Sequence, residues 1–526
     1  MPYFDFHLHT TLKSFFSTGN KKLNPWEPVP AGHIPLKLCK DLAAYLLQTQ
    51  CNLRQLSNSG CNLFGYAFFF PDTAMVDNKT VKALAKRMPD EFDAAFMDDI
   101  INKRFNPYRV ALKHVNEVLF NPARFGITDV QVLTLSHPNN YETDPKKLFL
   151  FFVVEGCHSL SSTQETDSFD VDDMLTNLDD LRSRFLVFSL NLTHIENSKI
   201  CNQAYGMQFE TDSRFRPFQK GIGADGWKML QHCYTRKILI DIKHMSLAAR
   251  LELYAEWFDN ASSIAAVRQP IICTHAGFTG ISWTEVADYA YKISKTPEKG
   301  SVYMSVGKPY TPLVGLSPSF NASSINLYDE DIESIILSGG IVGLNLDRRI
   351  LGYQQPGSPT IEMPDSDFPF DEEYISEKEL YLFYNAGNKD RVSSKLNEEH
   401  CITWERVEEG STTATEKEYH LLHFLMHVAH FIKVAATSLR GIDVNKALTQ
   451  ICIGSDFDGL IHPIWCCLNT EELHILQSEF EKRFVKFAND INTPLPPGFD
   501  IKKFSQQLFF ENGSNFIFGR LPLLVL

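Results

Sequence analysis

Two histidines one residue apart, His7 and His9 in PYFDFHLHT, have the spacing that sets two imidazoles on one face of a β-strand. Leu8 then turns toward the opposite face, and the two rings make half of a metal site. Four more apolar runs end on a group able to bind a metal or move a proton: Glu155 in FFVVEG, His244 in LIDIKH, His275 in PIICTH and Asp456 in CIGSDFDG. A fifth, FSLNLTH, ends on His194. A carboxylate closing a run as apolar as FFVV is costly unless it is paired or bound to a cation. One carboxylate can bridge two ions, so Glu155 is the candidate bridge and His244 with His275 the candidate imidazoles of a second ion. Asp456 suits another task, accepting the proton of a bound water and passing it to a leaving amine. Two divalent ions about 3.5–4 Å apart bring the pKa of a shared water toward about 7, and hydrolysis is the natural outcome. Imidazole and carboxylate donors without a thiolate make zinc the first choice, with manganese, iron and cobalt as alternatives. Asp5, Asp241, Ser246 and Asp458 stand close by in sequence as residues to orient the ligands.

Such tips need strands to carry them. Apolar runs bounded by turn signals predict strands at 3–9, 62–71, 148–155, 185–193, 237–244, 270–275, 339–346 and 451–456. Most are continuously apolar, as in LFLFFVV, which is the pattern of parallel strands covered on both faces. Between them lie helix-compatible segments: VDDMLTNLDDLRSRF, GADGWKMLQHCYTR, LAARLELYAEWFDN and DEDIESIILSGG. Alternating β and α units with chemistry at the strand tips predict an α/β fold, a (β/α)8 TIM-like barrel. An open doubly wound sheet is the competing architecture, but no glycine-rich phosphate fingerprint follows the first strand. At 526 residues the chain far exceeds the about 250 of one plain barrel, so a single domain over 1–526 must carry long insertions, placed at about 10–61 and 347–450. In the second, 354–419 reads as irregular, a lid or a homodimer contact, ahead of a helix in EKEYHLLHFLMHVAHFIKVA.

A formal charge of -14 and a pI near 5.7 argue against a nucleic-acid partner, which normally requires clustered Lys and Arg. There is neither an apolar leader pattern after Met1 nor a stretch of about 20 apolar residues, so no secretion signal and no membrane span is expected. Eleven cysteines, some of them inside apolar strands, fit a reducing compartment, and a cytoplasmic location is the expectation.

The order HxH, Glu, His, His, Asp, with VVEGCHSL, LNLTH, LIDIKHMS and GSDFDG, resembles the renal-type (membrane) dipeptidase family of the amidohydrolase superfamily. The resemblance runs from the first strand to the closing IKKFSQQLFFENGSNFI. It implies a binuclear hydrolase of small peptides or amides. His7, His9 and Glu155 would hold one ion, Glu155, His244 and His275 the other, and Asp456 would be the proton shuttle. His194 matches the family's non-ligand histidine, which steadies the oxyanion and so also touches substrate. Asn326 matches a residue of the substrate site. Two positions depart from the pattern. HxH stands where the family usually has HxD, leaving the site one negative charge poorer. Ile325 stands where the family's Arg would grip a substrate carboxylate, and an apolar side chain cannot make that contact; Lys308 or Arg348 would have to replace it. Two other readings remain at this level: a metal-dependent phosphoesterase, since FDFHLHT also opens His-rich barrels of that kind, and a non-catalytic binding protein on the same scaffold.

Overall fold

The computed structural model describes residues 2–17, 26, 48–87, 92–135, 138–206, 212–218, 221–296, 300–309, 318–352, 370–384 and 413–524. Twelve strands occur among them: β1 (Tyr3–Leu8), β2 (Cys61–Phe68), β3 (Gln131–Thr134), β4 (Lys147–Val154), β5 (Val187–Asn191), β6 (Leu239–Asp241), β7 (Cys273–Ala276), β8 (Ala290–Lys295), β9 (Ser301–Gly307), β10 (Val342–Leu344), β11 (Phe370–Ser376) and β12 (Ile451–Ile453). The eight strands expected from sequence are β1, β2, β4, β5, β6, β7, β10 and β12, and all their pairings are parallel. They lie in two parallel sheets, one in the order β1-β2-β4-β5-β6 with β3 beside β4, the other β12-β10-β7. Isolated parallel bridges, Leu8 to Phe457 and Asp241 to Ile272, link the sheets at both ends.

Two apolar layers follow from the strand sequences. One cluster takes Phe4 and Phe6, Leu63 and Ala67, Phe149, Phe151 and Val153, Phe188, Leu239, Ile272, Ile341 and Cys452, thus drawing on or next to every one of the eight strands. Ile517, Leu521 and Leu524 of the C-terminal helix Asn512–Leu524 complete it. The other faces of the strands pack Leu150, Phe152 and Val154 against helix residues such as Met174, Leu178 and Leu181. With both faces covered, strands such as KLFLFFVV have no reason to alternate in polarity. In β1 the register with β2 shifts between Asp5 and Leu8, and beyond the shift His7 and His9 leave the apolar cluster for the site, while Leu8 joins the helix-facing layer.

The crossover helices fall where the sequence puts them. Val171–Arg184 starts at Asp170, whose carboxylate accepts from the Asp172 N–H, and Asp329–Ser338 stops at Gly339 with φ of 77°. Ala224–Thr235 and Leu247–Phe258 fill the intervening units.

The second insertion differs from expectation. Part of the stretch read as irregular is ordered: β11 pairs antiparallel with β9 from Phe370 opposite Gly307 to Ser376 opposite Ser301, and β8 pairs on the other edge of β9. The helix Glu377–Tyr384 follows. This small sheet combines a strand from the 347–450 insertion with two from the β7–β10 connection. Burial of Asp371 and Glu373 explains why β11 did not read as a strand: its inward residues are acids rather than apolar groups. The rest of 354–412, and with it most of the lid or dimer expectation, lies outside the described residues, as does most of 18–47. The predicted helix is present as Thr413–Thr437.

Candidate metal centre

Glu155 follows β4 directly and is 1% exposed, surrounded by five imidazoles from four other strand ends. Its Oε1 lies 3.1 Å from His244 Nε2, 3.5 Å from His275 Nε2, 3.6 Å from His7 Nε2 and 3.6 Å from His194 Nε2. Its Oε2 lies 2.9 Å from His9 Nε2, which is itself 3.4 Å from Asp456 Oδ1. All seven strand-tip residues singled out in the sequence therefore meet around one carboxylate. Three triads are compact enough to hold an ion: His7, Glu155 and His275; His7, His9 and Asp456; and Glu155, His194 and His244.

The donor set fits divalent cations. His7 Nε2 and His9 Nε2 face each other at 3.2 Å, and Glu155 Oε2 accepts no hydrogen bond despite its closeness to His9. Nitrogen and oxygen donors thus converge within one small, buried space. Burial opposes the charge of Glu155, but His9, His194 and His7 outweigh it and hold the carboxyl well below its ordinary range. Burial lowers His244 to about 3 and His275 well below its ordinary value, so both rings are neutral, the form that can bind a cation. Burial also works against a charge on His9, yet Glu155 and Asp456 lift it to about 10. That end of the site favours a positive charge, which a divalent ion supplies as well as a proton does. Asp456 is raised, by burial first, with His9 and His7 pulling the other way.

One threonine sets the tautomer of two of these rings. Thr274 donates its hydroxyl proton to Asp241 Oδ2, leaving its oxygen to accept from His7 Nδ1 at 3.0 Å and His275 Nδ1 at 3.0 Å. Both rings then carry their proton on Nδ1 and present a bare Nε2 to the site. Asp241 is held in turn by the N–H groups of Lys243 and Thr274. The other expected orienting residues have different work. Asp5 Oδ1 accepts from the N–H groups of His7 and Ser455, Ser246 caps the helix Leu247–Phe258, and Asp458 binds the N–H groups of Gln50 and Cys51 and pairs with Lys13 at 3.0 Å.

Backbone geometry shows how tightly these tips are held. His244 and Asp456 both have left-handed φ, 69° and 64°, uncommon for side-chain-bearing residues and concentrated at functional sites. Gly156 is left-handed too, and a Cβ there would come within 2.4 Å of His158 Nδ1 and 3.0 Å of His194 Cβ.

Two residues of the site were not recognised in the sequence. Asp72 Oδ2 binds His194 Nδ1 at 2.5 Å and so aims Nε2 at Glu155. Asp72 sits just past β2 in FFFPDT; the strand-tip pattern covers it, but Pro71 broke the run. Thr274 was hidden inside the strand end CTH. Asn326 has a scaffold role: its side-chain amide donates to Asn321 O and Ile350 O and accepts from the Gly277 N–H. Lys308 does not replace the missing Arg, because it is fully buried against Asp371 at 2.6 Å. Ile325 itself is buried, 5% exposed. All nine described cysteines are free and buried, and no described helix is long and apolar enough to cross a membrane.

With this geometry in view, three solved structures similar to the chain can be compared with it. One is a metallopeptidase described as dipeptidase AC, with a TM-score of 0.50 at 14% identity over 98% of each chain. Another is a metallopeptidase from Rhodobacter sphaeroides bound to a phosphinate mimic of the dipeptide L-Ala-D-Ala, TM-score 0.49 at 14% identity over 98% of each chain. A third is the probable dipeptidase PvdM from Pseudomonas aeruginosa, TM-score 0.49 at 13% identity over 99% of this chain and 96% of that one. No family model and no curated protein matches the sequence. The likeness is one of fold.

Proposed function

We propose that this chain is a metal-dependent hydrolase of peptide or amide bonds, most simply of dipeptides, built on a closed (β/α)8 barrel. The convergence of His7, His9, His194, His244, His275 and Asp456 on Glu155 carries the reading, since five imidazoles around one buried carboxylate form a cation site before they form anything else. The apolar cluster fed by all eight strands and the two bridges between the sheets support the closed barrel.

In this reading His7, His9 and Glu155 would hold one ion, and Glu155, His244 and His275 the other. The donor chemistry favours zinc. Two divalent ions, when bound, would supply Lewis-acid activation of a water and of the scissile carbonyl. The chain's own groups do the rest. Asp456, at the β12 tip and raised by burial, takes the proton of the attacking water and returns it to the leaving amine. His194, aimed by Asp72, donates from Nε2 to the carbonyl oxygen as negative charge gathers there. Thr274 and Asp241 keep His7 and His275 in the ligating tautomer.

The test pairs elemental analysis with a dipeptide panel. Zinc-loaded protein should hold two ions and cleave dipeptides, chelation should abolish turnover, and Asp456→Asn should lose turnover while keeping metal. Retention of both metal and activity in His244→Ala/His275→Ala would reject the site. Phosphate release from simple esters without amide cleavage would shift the reading to a phosphoesterase.

A further inference from the structure

The insertion between β1 and β2 leaves and rejoins the barrel beside the loop that carries Asp456. That loop, residues 455–460, follows β12 and alternates left-handed residues, with φ of 64° at Asp456, 66° at Asp458 and 58° at Leu460. Residues with side chains seldom adopt this backbone, and three of them within five positions persist only where the surroundings impose them. Between them Gly459 closes a turn, its N–H donating to Asp456 O at 2.9 Å; a Cβ there would come within 2.1 Å of Asp456 Oδ1.

Partners of its own side chain do little to aim Asp456. Among the described residues its carboxylate receives one long hydrogen bond, 3.5 Å from Asn345 Nδ2, and lies 3.4 Å from His9 Nε2. The next acid along the loop is gripped instead. Asp458 is 1% exposed, and its Oδ1 accepts from the Gln50 N–H at 2.8 Å and from the Lys13 ammonium at 3.0 Å. Its Oδ2 accepts from the Cys51 N–H at 3.1 Å, and the Cys51 thiol lies 3.3 Å from both Oδ2 and Phe457 O. The Asp458 N–H donates in turn to Gln50 Oε1 at 2.8 Å. Donors on both oxygens stop the carboxylate from rotating, and the bond at its own N–H fixes the main chain that bears it. Lys13 also donates to the Gln48 carbonyl, so the two ends of the insertion are tied to each other as well as to the loop.

We propose that Lys13, Gln50 and Cys51 are positioning residues for Asp456, acting through Asp458, so that the ends of the 10–61 insertion belong to the machinery that moves the proton. This rests on the proton-shuttle role given to Asp456 above. The aim of that carboxylate is set by its backbone, and the backbone is held from outside the loop. A misplacement of about 1 Å at a reacting group can lower a rate about 100-fold.

The experiment compares zinc-loaded wild type with Lys13→Met and Gln50→Leu. Each variant should lower kcat about 10- to 100-fold, with KM and the metal content by elemental analysis unchanged. Lys13→Arg should recover part of the loss. Hydrogen exchange read by mass spectrometry should quicken at the amides of 456–460 and stay as it is around His244. A kcat unchanged in both variants, or lost only in step with metal, overturns the assignment. Should Lys13→Met fail to fold, Gln50→Leu decides by the same readouts. If wild type cleaves no amide, the hydrolase reading fails, while exchange at 456–460 still judges the brace, and equal rates in wild type and variants overturn it.

Discussion

Acidification from pH 7 to pH 5 should destabilise this protein through the histidines of the Thr413–Thr437 helix, independently of any metal. Three of them accept a backbone N–H on a ring nitrogen: His420 Nδ1 from Trp465 at 2.9 Å, His423 Nε2 from Ser319 at 3.4 Å and His427 Nδ1 from Phe278 at 3.0 Å. The second nitrogen of His423 donates to Tyr419 O, and that of His427 to Leu351 O. Each accepting nitrogen must be bare, because a proton there would face another proton. Burial pushes the three rings down to about 2, about 4 and about 3, respectively. In the unfolded chain each returns to about 6.5.

The sign follows from proton counting. Below pH 6.5 the unfolded chain takes up protons that the folded helix refuses, so the stability present above that value is lost as pH falls toward the folded pKa values. Each ring costs up to about 1.4 kcal/mol per pH unit, hence about 2 kcal/mol at pH 5 and about 6 kcal/mol for the three together. That compares with the whole stability of many domains, about 5–15 kcal/mol. Because other buried histidines, such as His114 and His462, add to the same trend, the informative measurement is a difference. His427→Asn keeps an acceptor for the Phe278 N–H but cannot titrate. With chelator present, proton uptake on unfolding at pH 5 should be about one proton smaller in His427→Asn than in wild type. Identical uptake, or parallel curves of stability against pH, would refute the reasoning.

Three other substitutions probe the site. Thr274→Val removes the acceptor shared by His7 and His275 and should weaken metal binding about 10- to 100-fold in a chelator competition, with the circular dichroism unchanged. Gly156→Ala puts a methyl group against His158 and His194 in a left-handed backbone and should cost about 1–3 kcal/mol in a denaturant titration. Asp72→Asn leaves His194 without its anionic partner; kcat should fall about 100-fold while elemental analysis finds the metal still bound.

How far the chain could be read in advance depends on whether a residue's task is local. The strand tips were legible because an apolar parallel strand leaves its polar terminus nothing to do but chemistry, and Glu155, His244 and Asp456 announce themselves by contrast with the runs before them. The helices were legible for the same reason, through caps such as Asp170 and Gly339. What escaped were relations between distant segments. Nothing in EKELYLF or DEEYIS reveals that Asp371 meets Lys308 across the small sheet, nor does HLLHFLMHVAH show that its histidines accept N–H groups from residues as remote as Phe278. The missing Arg at Ile325 shows the gap most clearly. In the sequence its loss is a defect with several candidate repairs in the extended loops. The structure removes one of them, because the Lys308 ammonium is spent on Asp371, a partner 63 residues away that no local pattern could name.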